Sequence, residues 1–479
     1  MGVVPANAIL TPRPESLPAW ASLSEDQRRL YARQMEAFAA ALAHADHEIG
    51  RVIDALRAAG ELDNTLVIFL QGDNGASAEG GPEGALFQQS RMNGQVEDPA
   101  YALSRIDDLG GPKLYNHYSA AWGWATDAPF RYYKQIASYF GGTRNGLVIS
   151  WPERIKTAGL RTQFHYVTDI APTIYDAAGI RPPTTLNGTR QMPIDGISMK
   201  YSFDHPNQPS RRRVQYFEVV GNAGIYQDGW MASMRPTYDP WDYLNARKVD
   251  PRKRQWELFN LAEDFTQAKD LSAEQPAKLR AMQKLFWAEA RKNNVLPMQP
   301  EAGAGAPSPA RGRSSFWLPV GLTDMPYGVA PPLANRSFTI EADVTVPRGG
   351  AQGVIASQGG RFGGWALYVK DGQPVFHYNA LDPHRYSIAS PAQLEPGARH
   401  LVAHFAYDGG RRGSGGTLTL QVDGRTVAEG RIDRTLPNWI SHTEGLSVGR
   451  DTQTPVSEDY AVEGSAFNGA FAGIRIKLD

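Results

Sequence analysis

Apolar residues fall at Tyr31, Met35, Phe38, Leu42, Ala45, Ile49, Ile53 and Leu56, in steps of three and four. That period lays a single stripe along a helix. The run starts after Ser24 in SEDQ, an S-x-x-Q capping box, and stops at Gly60, a residue that takes the left-handed C-cap conformation at no steric cost. After a short loop, the apolar run from Thr65 to Leu70 reads as a strand. Helix, short loop and uninterrupted apolar strand predict a sheet covered on both faces, the arrangement of α/β folds.

Periodicity then lapses from Gly75 to Ser138, a stretch dense in Asn, Tyr, Trp and Gly that includes YNHYSAAWGWATDAPFRYYK. A loop this long is expected to be functional, and its aromatics argue against disorder. A second strand, GLVISW, follows the GGTR turn, and RTQFHYVTDIAPTIYDAAGI predicts a turn leading into a short helix. Strands are expected at RRVQYFEVV and IYQDGWMAS, and a helix over Ala277 to Lys292. Near Met298 the composition changes to QPEAGAGAPSPARGRSS, which predicts a linker over 298–314. Beyond it the period becomes two: Phe338, Ile340, Ala342, Val344 and Val346, then Leu418, Leu420 and Val422, then Ile474, Ile476 and Leu478. With Asp371-Gly372 and Asp423-Gly424 as hairpin turns, this predicts an all-β, jelly-roll-like sandwich over 315–479. The α/β part is then 1–297, with a Pro-rich extended lead-in at 1–22 expected to run over structure that the chain need not itself contain.

Charge and cysteine content narrow the chemistry. Lys plus Arg number 49 and Asp plus Glu 50, a net charge of -1, so no basic excess points to nucleic acid. The chain has no cysteine, which removes disulfides, thiolate metal sites and a cysteine nucleophile. No window approaches the roughly 18 consecutive apolar residues that span a bilayer, so no membrane partner is expected. The N-terminus lacks the basic flank and apolar core of a signal peptide, leaving the compartment unassigned.

At the end of the first strand stand Asp73 and Asn74, in LQGDNGASAEG. In open α/β sheets ligands collect outside the carboxyl ends of strands. A carboxylate and an amide oxygen are hard ligands suited to Ca²⁺ or Mg²⁺. Asp, Asn and Gly also dominate turns, and on spacing alone the turn is the simpler reading.

Four segments in order change that balance: LDNTLVIFLQGDNGASAEGG, FRYYK before GGTRNGLVISWP, VTDIAPTIYDAAGI and QWELFNLAEDFTQAKDL. Together, over roughly residues 20 to 295, they resemble the C-terminal half of the catalytic domain of an arylsulfatase-type sulfatase in the alkaline-phosphatase-like superfamily. The resemblance implies a partial alkaline-phosphatase-like sheet with flanking helices, and a small-molecule sulfate ester as substrate. It also implies that Asp73 and Asn74 are two ligands of a Ca²⁺ ion, with Mg²⁺ the lesser candidate, and that Lys134 binds the sulfate group. A cation at Lys134 would act on charge developing in the transition state. Arg144 is expected to anchor the loop behind the site. His117 and His165 are expected to be structural, and His44 and His47 to be solvated or packed on the helix.

The family nucleophile is a formylglycine made from the first residue of C-x-P-x-R or S-x-P-x-R. The string SWPER satisfies the second pattern, but Ser150 follows the Asp-Asn pair whereas the family motif precedes it, so Ser150 is rejected and no nucleophile is assigned. The resemblance therefore implies a fragment, inactive alone, whose unpaired strands need an N-terminal half or a second copy. By family the compartment is cytoplasmic or periplasmic. One rival is a phosphoester or phosphonate hydrolase of the same superfamily, in which Asp-His commonly replaces Asp-Asn. A different class of rival is a non-catalytic glycan- or partner-binding protein that works through its β domain, which is similar in pattern to concanavalin- and laminin-G-like sandwiches.

Overall fold

The computed structural model describes residues 2–245, 249–298 and 308–479, so most of the expected linker lies outside the described residues. Two compact units form, one drawn from 1–83 and 118–304, the other from 84–117 and 305–479.

In the first unit, helix α1 (Glu25–Ala58) is capped as its sequence requires: the Ser24 side chain accepts from Gln27 N–H while the Gln27 side chain accepts from Ser24 N–H. Gly60 follows with φ of 74°, the conformation the C-terminal turn needs. Burial stops early, however. Leu30, Tyr31, Gln34 and Ala37 are buried, whereas Phe38, Leu42 and Ile49 of the apolar stripe are exposed, as is Val52 beside it.

Strand β1 (Val67–Gln71) pairs with β2 (Gly146–Ser150), which follows the eight-residue helix α2 (Ala120–Asp127). The expected sheet covered on both faces is not what forms from these strands. They make a two-stranded antiparallel ribbon in which β1 is half-buried and Val148 of β2 is 60% exposed. The apolar composition anticipates cover that these residues do not receive.

Helix α3 (Ile170–Ala178) ends at Gly179 in the left-handed region. A four-stranded antiparallel sheet runs β3 (Val214–Val219), β4 (Asn222–Gln227), β5 (Trp230–Met234), β6 (Trp256–Asn260), and helix α4 (Pro276–Lys292) packs on it. Ile225, Trp256 and Leu258 meet Met282 and Phe286 in that core. The lead-in packs on the chain itself. Thr11 Oγ1 donates to the carbonyls of Pro129 (3.1 Å) and Phe130 (3.0 Å), and Leu17 is fully buried in a cluster with Tyr133 and Trp241.

The second unit is an antiparallel sandwich. Its strands are β7 (Ser315–Pro319), β8 (Phe338–Val346), β9 (Gly353–Gly360), β10 (Gly363–Lys370), β11 (Gln373–Asn379), β12 (Arg385–Ala389), β13 (Gly397–Tyr407), β14 (Ser414–Val422), β15 (Arg425–Arg434), β16 (Leu446–Val448) and β17 (Ala470–Leu478). One sheet has the order β15-β14-β13-β8-β17-β7 and the other β12-β11-β10-β9-β16. The period-two residues Ile340, Val344, Leu418, Leu420, Ile474 and Ile476 all enter the core. Both Asp-Gly pairs turn hairpins with positive φ at each residue (52° and 80°, 52° and 75°).

Residues 84–117 belong to this unit as well. Gln89 Nε2 donates to Trp439 O at 2.7 Å, and Asn93 Oδ1 accepts from the backbone N–H of Asn438 (2.8 Å) and Trp439 (3.0 Å).

Candidate functional site

Three stretches remote in sequence are stitched together beyond the end of β1. Gly75 N–H donates to Gly142 O at 3.2 Å, and Lys134 N–H donates to Ala76 O at 2.9 Å. Ala76 N–H donates to Asp127 Oδ1 at 3.0 Å. The approach is close enough to require glycine: a Cβ at Gly75 would lie 1.6 Å from Gly141 O and 2.8 Å from Asp127 Oδ1. The Asp-Asn-Gly loop, the FRYYK segment and the double-glycine turn thus form one assembly.

Asp73 lies two residues past the strand and is exposed. Asn74 is half-buried, and its Nδ2 donates to Gly75 O at 2.8 Å, which leaves the amide oxygen as the free end of the side chain. The donor set is therefore a carboxylate and an amide oxygen, which fits a hard cation. Such an ion takes six to eight oxygen ligands, so most of its shell would come from groups other than these two. Among the described residues, no group of three or more His, Asp or Glu side chains is arranged to hold a metal ion.

Lys134 sits on a segment fixed from both sides. Tyr133 is buried, stacks on Trp241 and donates its hydroxyl to Ala120 O at 3.1 Å. Tyr132 (φ 59°) and Gln135 (φ 77°) hold left-handed backbone conformations, uncommon for non-glycine residues and stable only where packing dictates them. Behind the turn, Gln267 Oε1 accepts from Phe140 N–H at 2.7 Å. Arg144 lies 4.2 Å from the centre of the Phe265 ring, and burial depresses its pKa.

The antiparallel register separates Ser150 from this assembly. Gln71 faces Gly146 at the Asp73 end of the ribbon, whereas Ser150 faces Val67 at the other end. His165 also serves elsewhere, with Nδ1 3.6 Å from Asp169 Oδ2. Burial would raise the Asp169 carboxyl, but His165, Arg212 and the N–H groups of Ile197 and Tyr166 outweigh it and hold the pKa well below the usual range. His117 belongs to the second unit, where its backbone bridges Ala85, and His44 and His47 are exposed on α1.

Two residues were not singled out by sequence reasoning. Glu79 Oε2 accepts from Lys134 Nζ at 2.9 Å and Oε1 accepts from Gln135 Nε2 at 3.1 Å. Its only sequence signal was its place in the same excursion as Asp73. Asp127 Oδ2 is buried without a hydrogen-bond partner among the described residues, and burial pushes its carboxyl up to about 7. Inside an aromatic loop nothing marked it.

Residues 12–180 match the family model described as Sulfatase. An uncharacterized sulfatase of Schizosaccharomyces pombe is 29% identical over 280 residues, 58% of this chain and 47% of the relative. The arylsulfatase of Klebsiella aerogenes is 29% identical over 180 residues, 38% of this chain and 37% of the relative. A solved structure from a Bacteroides thetaiotaomicron glycosaminoglycan-metabolism locus is similar at 14% identity and a TM-score of 0.33, covering 52% of this chain and 43% of that one. Residues 12–180 are therefore sulfatase-like in sequence, and an all-β region lies on their C-terminal side. The chain spans about half the length of the first of these curated relatives and less of the second. No helix among the described residues is long and apolar enough to cross a membrane.

Proposed function

We propose that this chain is the part of an arylsulfatase-type sulfate-ester hydrolase that contributes Asp73 and Asn74 to a Ca²⁺ site and Lys134 to the sulfate group. The observation that carries this reading is the stitching of the Lys134 segment to the Asp-Asn-Gly loop through Lys134 N–H and Ala76 O. It ties an ammonium-bearing residue to a loop carrying a carboxylate and an amide oxygen, an arrangement that supports preorganised electrostatic catalysis. The ion would supply Lewis acidity toward a sulfuryl oxygen. Lys134 would hold the anion and stabilise charge on the departing oxygen, and the aromatic packing under Tyr133 keeps that segment in place.

Turnover on this reading also needs a nucleophile and further cation ligands, which residues outside this sequence would supply. The bare apolar stripe of α1 and the open edges of the β1–β2 ribbon support this part of the proposal. Expression of the chain alone and together with a complementary sulfatase half, assayed with 4-nitrophenyl sulfate, tests it. Activity only in the mixture is expected; activity of the chain alone would overturn the requirement and reopen Ser150. Faster turnover of 4-nitrophenyl phosphate than of the sulfate would move the assignment to phosphoester hydrolysis.

A further inference from the structure

Lys134 is half-buried beside a carboxylate. Its Nζ lies 2.9 Å from Glu79 Oε2, with the Lys134 side chain 33% exposed and that of Glu79 19%. Ser77 Oγ, at 3.4 Å, also donates to Oε2, and Gln135 holds the other oxygen. The carboxylate is therefore built into the loop, where Ser77 and Gln135 donate to it as well as the ammonium. One of the three ammonium N–H groups is committed to it, which leaves two for another acceptor. The charge of this ion pair sums to zero. An anion arriving at Lys134 meets a cation whose field is offset by a negative charge one hydrogen bond behind it.

That arrangement discriminates by charge. A sulfate monoester carries one negative charge, whereas a phosphate monoester, whose second pKa is about 6, carries nearly two at pH 8. Attraction to the Lys134 ammonium and repulsion from Glu79 both scale with the charge on the ligand, so the carboxylate takes away much of the advantage that a bare ammonium would give the dianion. Resting on the assignment of Lys134 to the sulfate group, we infer that Glu79 is a specificity-determining residue that shifts selection toward monoanionic sulfate esters by cutting the electrostatic advantage of dianionic phosphate monoesters at Lys134.

The test uses the full 479-residue chain. Acylation of Lys134 by acetic anhydride is followed by peptide mass spectrometry, with methyl sulfate or methyl phosphate present at pH 8 and equal ionic strength. In the wild type, methyl sulfate and methyl phosphate should both protect Lys134, and the ratio of their protecting concentrations is the reference. Glu79→Gln, which keeps an acceptor oxygen and removes the charge, should shift the ratio of the two protecting concentrations toward phosphate by about tenfold, equivalent to about 1.4 kcal/mol. Glu79→Asp, which keeps the charge, should retain the wild-type ratio. Lys200, paired with Asp176 in the same unit, reports on folding and should acylate at one rate in all three proteins. An unchanged ratio in Glu79→Gln, with methyl sulfate still protecting, overturns the role of Glu79 alone. Failure of either anion to protect wild-type Lys134 overturns the sulfate-binding assignment and this inference with it.

Discussion

The sandwich and the β1–β2 ribbon are both antiparallel β-structure, yet the chain finishes one and leaves the other bare. Strand β8 has neighbours on both edges and alternates buried with more open positions, each inward side chain entering a shared core. In the ribbon each strand has one partner, β1 is only half-buried, and β2 is largely exposed although its sequence is apolar. Isolated two-stranded structure is marginal in water. What holds the ribbon's Asp73 end is the polar stitching to Asp127, Lys134 and Gly142, so its order comes from the site rather than from a core. The sandwich is stable by packing, whereas the ribbon keeps apolar side chains exposed.

The widest expected difference is in amide hydrogen exchange. In the chain by itself, Ile340 and Ala342 should exchange more slowly than Ile68 and Leu70 by roughly three orders of magnitude or more, as a core strand opens only with its domain and a ribbon frays. Equal protection would erase the distinction. Next comes Trp365, fully buried, stacked on Phe376 and donating Nε1–H to Gln358 Oε1 at 3.0 Å. Trp365→Ala should cost about 3–5 kcal/mol in denaturant unfolding of the second unit.

Asp127 gives a pH-dependent contrast within the first unit. Its folded carboxyl is held up to about 7 by burial, so the folded state binds its proton more tightly than the unfolded chain does. Stability from this group is full below about pH 4 and falls as pH rises toward 7. Asp127→Asn keeps an oxygen for Ala76 N–H and removes the fall, so the variant should match wild type at pH 4 and exceed it at pH 8, by on the order of 3 kcal/mol. A parallel loss of stability in both proteins would contradict the assignment. Smallest is Val148→Ser on the exposed face of β2, expected to change the stability of the chain alone by under about 0.5 kcal/mol. In the chain joined to its complement the same change should cost more, because the proposed cover would bury that position.

Local rules explain why some of this was legible from the residues. The Ser24 capping box, the Asp-Gly hairpins and the period-two strands rest on contacts a few residues apart or on strict alternation, and each formed where expected. The packing of Gln89 and Asn93 against Asn438 and Trp439 was not legible, because it joins positions some 346 residues apart within an aperiodic loop. Glu79 and Asp127 escaped for a related reason. Their significance lies in Lys134 Nζ and Ala76 N–H, partners brought to them by the fold and not by spacing. The ribbon shows the converse limit: β1 and β2 read as buried because of their apolar composition, yet β1 is half-buried and β2 largely exposed.

The most direct test of the central proposal is calcium retention with aryl sulfate turnover, measured on the chain joined to its complementary half, wild type against Asp73→Ala. Loss of the bound ion together with turnover is the expected result. A variant that keeps both would show that Asp73 is turn chemistry after a strand and not a ligand.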